Sequence, residues 1–521
     1  MGAQKQVGAL DLTADAQATQ QILTLACNAS QRVNIPHANK IGRGAAGHRF
    51  KITATALFIV LLTCGSIFPL QTLLTALLAF TALIFTQAML RIAAICLGKT
   101  KFEIAGGNPS LACSDTQTWP LYTVLVPLKD EAHMVAGLIE TLSQLNYPTK
   151  RLQIIFITEE DDPKTCRAVN VALRAPFEHV IVPRHGAPSP RTKPNALNVA
   201  MKTARGAFVT IYDAEDAPDP EQLKTAISAF NKHPNWGALQ APLDYFNTRE
   251  SWLAAQFGLE YAAQFHVWIP LMVRLGLPFP LGGTSNHIRR SALESVRRDD
   301  LYWDSYNVTE DADLSFRLSA HGWDIGYITP PTQEEAVSTL KPWTQQRTRW
   351  MKGFMQSWRV HMDSPFTPGG WRGIKRQITL QLTLGSVLLA GFFHAPICAA
   401  LLIWIVYSWL TTGTALLSPL VGLSLSLGYG TGLIMGAFGA LRAKKLHLLW
   451  ALPLMPLYWM CLCVPTYRAA YEYFRNPYYW AKTAHGKSSQ LVGLSPAPQK
   501  TNSYSMTALK GASETIPMPA E

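Results

Sequence analysis

The chain has 521 residues, more than one ordinary domain holds. Its charged fraction of 15% lies well below the roughly 25% of soluble domains and its apolar fraction is 48%, which excludes a chain that is soluble throughout. The net charge of +12 favours anionic lipid or a phosphorylated substrate over nucleic acid, because no nucleic-acid-binding motif is present. The eight cysteines form no CxxC pair, which argues against a disulfide framework and a structural zinc site.

The N-terminal part divides into a polar tail and a long apolar run. Residues 1–51 are polar, with basic residues near their end, and we expect a loosely ordered tail there. Residues 52–90 contain no charged side chain and are long enough for two bilayer spans of about 20 residues each. We therefore predict two transmembrane helices within residues 52–98, with a turn near residues 65–69.

Residues 99–370 have a different composition, in which charges return and short β-rich runs alternate with helical patterns. That alternation predicts a mostly parallel sheet with helices on both faces, and in such sheets ligands bind beyond the carboxyl ends of the strands. The six predicted strands cover residues 122–128, 152–158, 179–183, 207–212, 237–241 and 324–328. We expect this domain to lie in the cytosol and to end in an interfacial helix.

A second apolar region follows the α/β domain. Residues 377–441 lack Asp, Glu, Lys and Arg and are long enough for three spans, with Pro396 and residues 411–419 as the expected breaks. A further span at residues 446–465 gives about four transmembrane helices within residues 371–470. The predicted total for the chain is therefore about six spans.

The charges around this second region conflict with that count. Six spans place Arg442, Lys444 and Lys445 on the non-cytosolic side, against the tendency of basic loops to lie in the cytosol. A single long helix over residues 377–410 is the alternative; it returns those charges to the cytosolic side but places the C-terminal tail on the other side. The remaining residues, 471–521, are rich in Ser, Thr, Pro and Ala towards their end and are predicted as a cytosolic, partly disordered tail.

Acidic side chains follow several of the predicted strands. They are Asp130 after the first strand, Glu159 and Asp161 after the second, Asp213 and Glu215 after the fourth, and Glu310 and Asp311 at the start of a later helix. A single such cluster is most simply a solvated turn with helix-capping carboxylates. Several that converge on one crevice repel each other and need a cation or a proton-transfer role. Asp213 and Glu215 project to one side of an extended segment, and oxygen ligands of this kind suit Mg²⁺ or Mn²⁺.

Two basic segments accompany the acidic clusters. In RTKPNALNVA, Lys193 stands at a helix start, where positive charge is unfavourable unless an anion such as a diphosphate binds; a basic surface loop is the alternative. In WTQQRTRWMKGFMQSW, an amphipathic interfacial helix accounts for Phe354 but not for Gln346, Arg349 and Trp350 as a unit. Arginine can bind phosphate at two points, and tryptophan can stack on a sugar ring.

Taken in order, these segments resemble the family 2 glycosyltransferases, and specifically the membrane-integrated synthases similar to cellulose synthase. DAED at residues 213–216 resembles the family's metal-binding D-x-D, TED at 309–311 its base motif, and QRTRW at 346–350 its Q-x-x-R-W. KPNALN and LGGTSNHIRRSAL also resemble family segments. Glu159 and Glu215 stand where the usual pattern has Asp, and both keep the carboxylate. The resemblance implies a GT-A-type, Rossmann-like catalytic domain inserted between transmembrane helices.

The resemblance also implies a role for each residue of these motifs. The implied catalytic residues are Asp311, as general base, and Glu310. The implied ligands of Mg²⁺ or Mn²⁺ are Asp213 and Glu215. The implied donor-binding residues are Asp130, Glu159, Asp161, Lys193, Asp213, Gln346 and Arg349, and the implied acceptor-binding residues are Trp350, Asn286 and His287. The implied reaction is direct displacement at the anomeric carbon with inversion.

Two enzymatic functions follow from the resemblance. The first is extension of a β-linked polysaccharide from a UDP-sugar, with UDP-glucose as the expected donor and export coupled to synthesis, for which accessory export proteins are conceivable partners. The alternative is a single transfer to a lipid-linked or other membrane acceptor, with UDP-N-acetylglucosamine among the donors. A transporter would need ionisable residues inside its apolar runs, which hold almost none beyond His394 and His447. We expect an integral protein of the bacterial inner membrane with its catalytic domain in the cytosol.

Overall fold

The computed structural model describes residues 48–98, 119–184, 190–362, 371–414 and 419–479. Residues 1–47 and 480–521 of the two predicted tails lie outside these ranges, as do residues 99–118 and 363–370 at the two ends of the predicted α/β domain. Within the described ranges, an α/β domain stands between two groups of long apolar helices along the chain.

The domain contains ten strands in two sheets. They are β1 (Tyr122–Pro127), β2 (Leu152–Glu159), β3 (Phe177–Val182), β4 (Phe208–Ile211), β5 (Ala217–Pro218), β6 (Trp236–Gln240), β7 (Leu243–Tyr245), β8 (Asn286–Arg289), β9 (Asp324–Tyr327) and β10 (Thr332–Glu334). The main sheet has the order β3-β2-β1-β4-β8-β6-β9, and a small sheet has the order β5-β10-β7. All six predicted strands are confirmed within two residues at each end.

The main sheet is mostly parallel, as the sequence predicts, but it contains one antiparallel strand and is therefore mixed. Strands β1, β2, β3 and β4 are parallel neighbours, and β6 pairs in parallel with β9. Between them lies β8, which is antiparallel to both β4 and β6. Strand β8 was missed because its four residues, Asn-His-Ile-Arg, have no run of apolar or β-branched side chains that would mark a strand. One antiparallel strand therefore joins two groups of parallel strands in the main sheet.

Helices cover both faces of the main sheet, as predicted. They are α3 (Val135–Ser143), α4 (Pro163–Ala172), α5 (Lys193–Ala200), α6 (Gln222–Lys232), α7 (Trp252–Ala263), α8 (Ile269–Arg274), α9 (Arg290–Ser295), α10 (Glu310–Ala320) and α11 (Leu340–Met362). Side chains of β1 alternate between the two faces: Val124 packs in one core with Leu138 of α3, and Leu125 packs in the other with Leu197 of α5. The sheet is therefore buried on both sides, which leaves its edges for ligands.

The apolar regions form helices whose number differs from the prediction. They are α1 (His48–Ile67), α2 (Pro69–Leu97), α12 (Trp371–Leu380), α13 (Ser386–Thr412), α14 (Pro419–Arg442), α15 (Met455–Cys461) and α16 (Cys463–Arg475), with a 3₁₀ segment at Leu446–Leu454. Four stretches within the described residues are long and apolar enough to cross a bilayer: Phe80–Leu97, Trp371–Thr412, Pro419–Arg442 and Leu446–Arg475. The predicted break between α1 and α2 is present at Phe68, but the count of six spans is not confirmed.

Pro396 does not divide the apolar region in the way the sequence predicts. It lies inside α13, which continues without a break from α12 through a π-helical turn at Gln381–Gly385. Neighbouring helices can satisfy the backbone group that a proline frees, so a proline need not end a membrane helix. The predicted break at residues 411–419 is present, since α13 ends at Thr412 and the left-handed Gly413 follows it. Residues 377–412 therefore form one long helix, which was the alternative to three spans.

That long helix also removes the conflict over the basic residues. Arg442 donates hydrogen bonds to the backbone oxygens of Ile95 (3.0 Å) and His266 (2.9 Å). Lys445 donates from Nζ to the Tyr245 oxygen at 2.7 Å. Both basic side chains therefore lie on the side of the membrane helices that carries the catalytic domain, and not on the far side as six spans require.

The last apolar stretch contacts the α/β domain at both of its ends. His447 shares a hydrogen bond of 3.0 Å with the Thr248 hydroxyl near the start of the stretch. Near its end, Lys352 of α11 donates to Glu472 Oε2 at 3.1 Å. A helix that crosses a bilayer once has its ends on opposite faces, so the length of this stretch does not by itself make it a single crossing.

Candidate active site

Acidic side chains gather at one edge of the main sheet. Strands β2, β1 and β4 are parallel neighbours, so their carboxyl ends lie side by side. A cavity of about 1160 Å³ opens at this edge. Its lining includes the following residues of the predicted site: Asp130, Glu159, Lys193, Asp213, Glu215, Glu310, Asp311, Gln346, Arg349 and Trp350. The structure thus brings ten of the thirteen predicted site residues into one cleft.

The turn after β4 holds Asp213 beside a buried lysine. Lys193, the first residue of α5, donates from Nζ to Asp213 Oδ1 and, at 2.8 Å, to the Gly283 oxygen. Burial alone would lower the pKa of Lys193, but the carboxylates of Asp213 and Glu310 raise it overall. The lysine is therefore a cation within the acidic cluster, as the sequence predicts for an anion-binding position.

Asp216 shapes the same turn from within. Its Oδ2 accepts the backbone N–H of Asp213 at 2.6 Å and the Thr284 hydroxyl. Its Oδ1 is buried and accepts no hydrogen bond among the residues that the structure describes. Burial, and then the nearby Asp213, raise the pKa of both Asp216 and Glu215 well above the usual range. The turn therefore holds three carboxyl groups beside one lysine, and burial favours the protonated form of two of them.

Gly283 lies next to both the predicted base, Asp311, and Lys193. A Cβ atom built on Gly283 would lie 3.3 Å from Asp311 Oδ2 and 3.8 Å from Lys193 Nζ. Because Lys193 also bonds to Asp213, the TED and DAED motifs both lie next to the short loop that contains Gly283. A side chain at Gly283 would crowd the carboxylate and the ammonium group, so the absence of a side chain there keeps the centre of the cleft open.

The two carboxyl groups of the TED motif titrate at different pH values. Burial raises the pKa of Asp311 to about 6, although the Ala312 N–H and the charge of Lys193 act in the opposite direction. Burial, and then the neighbouring Asp311, raise the pKa of Glu310 to about 8. Burial thus shifts the pKa of both carboxyls towards the range that suits a general base at neutral pH.

Helix α11 carries the QRTRW motif to the cleft through close packing on the TED turn. A Cβ atom at Gly353 would lie 2.4 Å from the Thr309 hydroxyl, so only glycine permits this approach. The Gln356 side chain accepts the Val308 N–H at 3.1 Å, which fixes the helix on the turn. Burial lowers the pKa of Arg349, and the carboxylates of Glu310 and Asp213 oppose that shift. The guanidinium thus faces the acidic cluster.

Trp350 and Gln346 line the cleft next to a buried arginine. Arg347 donates to Glu260 Oε1 at 3.0 Å, to Glu260 Oε2 at 2.5 Å and to the Tyr458 hydroxyl at 2.6 Å. Its guanidinium also lies 4.5 Å from the centre of the Trp350 ring. Gln346 Oε1 is buried without a hydrogen-bond partner in the described part of the chain. Arg347 therefore holds Trp350 in place, while Gln346 keeps an acceptor atom for a ligand.

The acidic cluster after β2 contributes differently from residue to residue. Glu159 is buried, lines the cavity and forms an ion pair with Arg184 at 2.5 Å; burial raises its pKa although Arg184 lowers it. Asp161 is not among the lining residues and pairs at 3.0 Å with Arg191, which is one. Asp130 has a left-handed φ of 52° and its N–H donates to Asp162, so its exposed side chain faces the cleft.

Asn286 and His287, predicted as acceptor-binding residues, lie elsewhere. Both belong to the central strand β8 and neither lines the cavity. His287 is fully buried. Its Nδ1 shares a hydrogen bond of 2.7 Å with the Tyr122 hydroxyl, and its Nε2 lies 3.1 Å from Gln222 Oε1. Burial lowers its pKa to about 3. The sequence analysis missed strand β8, and we do not retain an acceptor role for either residue.

Sequence reasoning missed two contributions to the cleft. Glu334, the last residue of β10, lines the cavity. Its pKa is raised well above the usual range, first by burial and then by the charge of Asp216. Glu260 of α7 lines it as well and binds Arg347. The pair EE at residues 334–335 was a visible signal, but it follows no predicted strand. Glu260 lies in an aromatic helix with no local motif.

Comparisons with known proteins agree with these motifs. Residues 208–464 match the family model described as Glycosyl transferase family group 2. A β-monoglucosyldiacylglycerol synthase of Synechocystis is 27% identical over 271 residues, which cover 51% of this chain and 54% of that protein. Cellulose synthase 2 of Novacetimonas hansenii is 24% identical over 269 residues, which cover 50% of this chain and 16% of that protein.

The extent of these matches is partial. The alignments cover between 54% and 65% of the length of three β-monoglucosyldiacylglycerol synthases. A solved mannosyltransferase from Pyrobaculum calidifontis, in complex with GDP-Man and Mn²⁺, covers 75% of this chain and 98% of its own, with 17% identity and a TM-score of 0.45. The family model and the sequence relatives support a family 2 glycosyltransferase domain over residues 208–464.

Proposed function

We propose that this protein is an inverting hexosyltransferase that moves a sugar from a nucleotide-diphosphate donor, a UDP-sugar, to an acceptor at the membrane. The observation that carries the proposal is the approach of Asp311 and Lys193 to the same Gly283, with Asp213 bonded to that lysine. A base, a cation and a pair of metal-binding carboxylates are thereby combined in one cavity, which is the set that displacement of a diphosphate needs.

The roles follow from position and charge. Asp311 removes the proton of the acceptor hydroxyl, because its carboxylate lies in the cleft next to Gly283. Lys193 and Arg349 bind the diphosphate, since both are cations that face the cleft. Trp350 offers an apolar ring face for the acceptor, and its position depends on Arg347.

Asp213 and Glu215 are the proposed protein ligands of Mg²⁺ or Mn²⁺. The three carboxyl groups of their turn fit a cation, as does Oδ1 of Asp216, which accepts no hydrogen bond among the described residues. Among the described residues, no group of three or more His, Cys, Asp or Glu side chains is arranged to hold a metal. The cation would therefore take further ligands from water and the donor phosphates. When bound, it would neutralise charge on the leaving diphosphate.

We place the catalytic domain in the cytosol, at the inner face of a plasma membrane. Arg442 and Lys445 lie between the membrane helices and the domain, and basic residues next to membrane spans favour the cytosolic side. Cytosolic placement also supports access to nucleotide-activated sugars. The apolar helices are the observation that favours a lipid bilayer as a partner of this protein.

Transfer of label from a panel of UDP-sugars by the detergent-purified chain, with Mg²⁺ or Mn²⁺, tests the proposal. Asp311→Asn is expected to reduce transfer by about 10² to 10⁴-fold and to leave donor binding by calorimetry intact. Asp300→Asn is the matched control, because Asp300 is exposed and pairs only with Arg297 three residues away. Loss of donor binding together with transfer, or full transfer by the variant, contradicts the base role.

Sizing of the product separates the two acceptor classes that the sequence leaves open. Chain growth from UDP-glucose to a long β-linked polymer would support a processive synthase with coupled export. A product of one added sugar, extractable into organic solvent, would support a lipid acceptor. The cavity bears on this choice because it extends between the membrane helices.

A further inference from the structure

The active-site cavity does not end at the catalytic domain. Besides the catalytic residues, its lining includes apolar side chains from several membrane helices, among them Leu83 of α2, Ile397 of α13 and Leu425 of α14. A molecule that fills this part of the cavity contacts hydrocarbon-like surface at one end and the sugar-transfer residues at the other. That combination suits an acyl or polyprenyl chain better than a hydrated sugar polymer.

One charged side chain, Arg91, stands in this membrane part of the cavity. It lies in α2, six residues before the helix ends at Leu97, which is about 9 Å along the axis. Its Nη1 donates to the Gly428 oxygen of α14 at 2.8 Å. Within the described residues, no carboxylate lies within ion-pair distance of its guanidinium. A charge inside a membrane segment is costly and ordinarily has a partner or a ligand.

The helices leave room for this guanidinium. A Cβ atom at Gly432 of α14 would lie 3.4 Å from Arg91 Nη1 and 2.7 Å from the Trp459 ring, so a larger residue would displace both. The other polar groups nearby satisfy one another: His394 bonds to the Tyr429 hydroxyl at 2.5 Å. They are neutral hydrogen-bonding groups, and they do not compensate the positive charge of the arginine.

We propose that the acceptor is a lipid that carries a phosphate group, and that Arg91 binds this phosphate while the acyl or polyprenyl chains occupy the apolar part of the cavity. The proposal rests on the proposed function and specifies its acceptor. A neutral polymer or a diacylglycerol leaves the guanidinium without a counter-charge, whereas a phosphate accepts two N–H groups from one arginine. The lipid hydroxyl then reaches Asp311 through the same cavity.

The test uses the full chain in phosphatidylcholine nanodiscs that contain either dioleoylphosphatidylglycerol or dioleoylglycerol. The first probe has a phosphate and free hydroxyls, and the second has a hydroxyl alone. Labelled transfer from the UDP-sugars and retention of each lipid in native mass spectrometry are measured. We expect preference for the phosphate lipid in both readouts, and an increase of about tenfold or more in its KM with Arg91→Gln. Arg91→Lys is expected to retain most of the binding.

The controls separate this proposal from the proposed function. UDP release without added lipid, measured for Arg91→Gln and wild type, reports the catalytic centre alone and is expected to be equal. Arg468→Gln removes a positive charge from α16, where Arg468 pairs with Glu472 outside the cavity lining, and is expected to behave as wild type. Equal retention of both lipids, equal KM values in Arg91→Gln, or a polymer product independent of lipid overturns the phosphate-lipid proposal. Absence of both UDP release and transfer in wild type overturns the proposed function instead.

Discussion

Arg347 offers the most informative single perturbation outside the catalytic groups. Its guanidinium is buried and donates to both oxygens of Glu260 and to the Tyr458 hydroxyl, while lying 4.5 Å from the rings of Phe257 and Trp350. The substitution Arg347→Met keeps an unbranched apolar stem and removes every one of these polar contacts. It therefore tests whether the middle of the QRTRW motif supports Trp350.

The size of the effect follows from these contacts. Two hydrogen bonds to a carboxylate contribute about 3 kcal/mol at the lower end of the range for charged groups, and the two ring contacts add about 1 kcal/mol. The Glu260 side chain is one-third exposed, and solvent screening removes about 1 kcal/mol of this. The expected loss is therefore about 3 kcal/mol, or about 3 °C in the Tm of a protein of this size.

Fluorescence-detected unfolding in detergent and steady-state kinetics check this prediction together. We expect a lower Tm and a KM for the acceptor that rises several-fold, with the KM for the donor unchanged, because only the Trp350 ring loses its support. Lys341→Met is the matched control, since Lys341 is exposed on the same helix. If Arg347→Met and Lys341→Met give the same Tm and the same acceptor KM, the reasoning is refuted.

Three further predictions concern the cleft itself. Transfer rates should fall as the pH drops through about 6, because burial raises the pKa of Asp311 to about 6 and only its ionised form accepts a proton; initial rates from about pH 5 to 8 check this, and a flat profile contradicts it. Lys193→Met should raise the KM for UDP-sugar about tenfold or more, since the cation next to Asp213 is lost; calorimetric titration with UDP would show unchanged affinity if the lysine did not contact phosphate. Gly353→Val should lower the Tm by several degrees and transfer with it, because a Cβ there meets the Thr309 hydroxyl at 2.4 Å; a wild-type Tm would show that helix α11 can shift at no cost.

Local patterns in the sequence predicted the sheet well where the strands are apolar. Strands β1 and β2 are continuous runs of buried residues, which is typical of parallel strands covered on both faces, and their bounds were predicted closely. Strand β8 is polar at Asn286 and His287, and its pairing with β4 and β6 is a long-range property. No local pattern reports such pairing, so the mixed character of the sheet could not be predicted.

The candidate site followed the same rule. Acidic residues at strand ends were found because parallel strands present their carboxyl ends together, which is a consequence of topology. Glu334 and Glu260 enter the cleft from a short edge strand and from a helix, and only the tertiary fold brings them there. The helix around Pro396 was also beyond local reasoning, because its continuity depends on the helices packed against it.

The close packing between α7 and the membrane helices determines how the protein can be truncated. Ala255 and Leu259 of α7 are fully buried together with Leu448 and Ala451, and a Cβ atom at Gly439 would lie 2.5 Å from the Ala263 nitrogen. A fragment of residues 119–362 would expose this apolar face to water. It would also lose the hydrogen bond between Arg347 and the Tyr458 hydroxyl. Enzyme and anchor are thus one folding unit, and a truncated soluble version is expected to aggregate instead of reporting the properties of the intact catalyst.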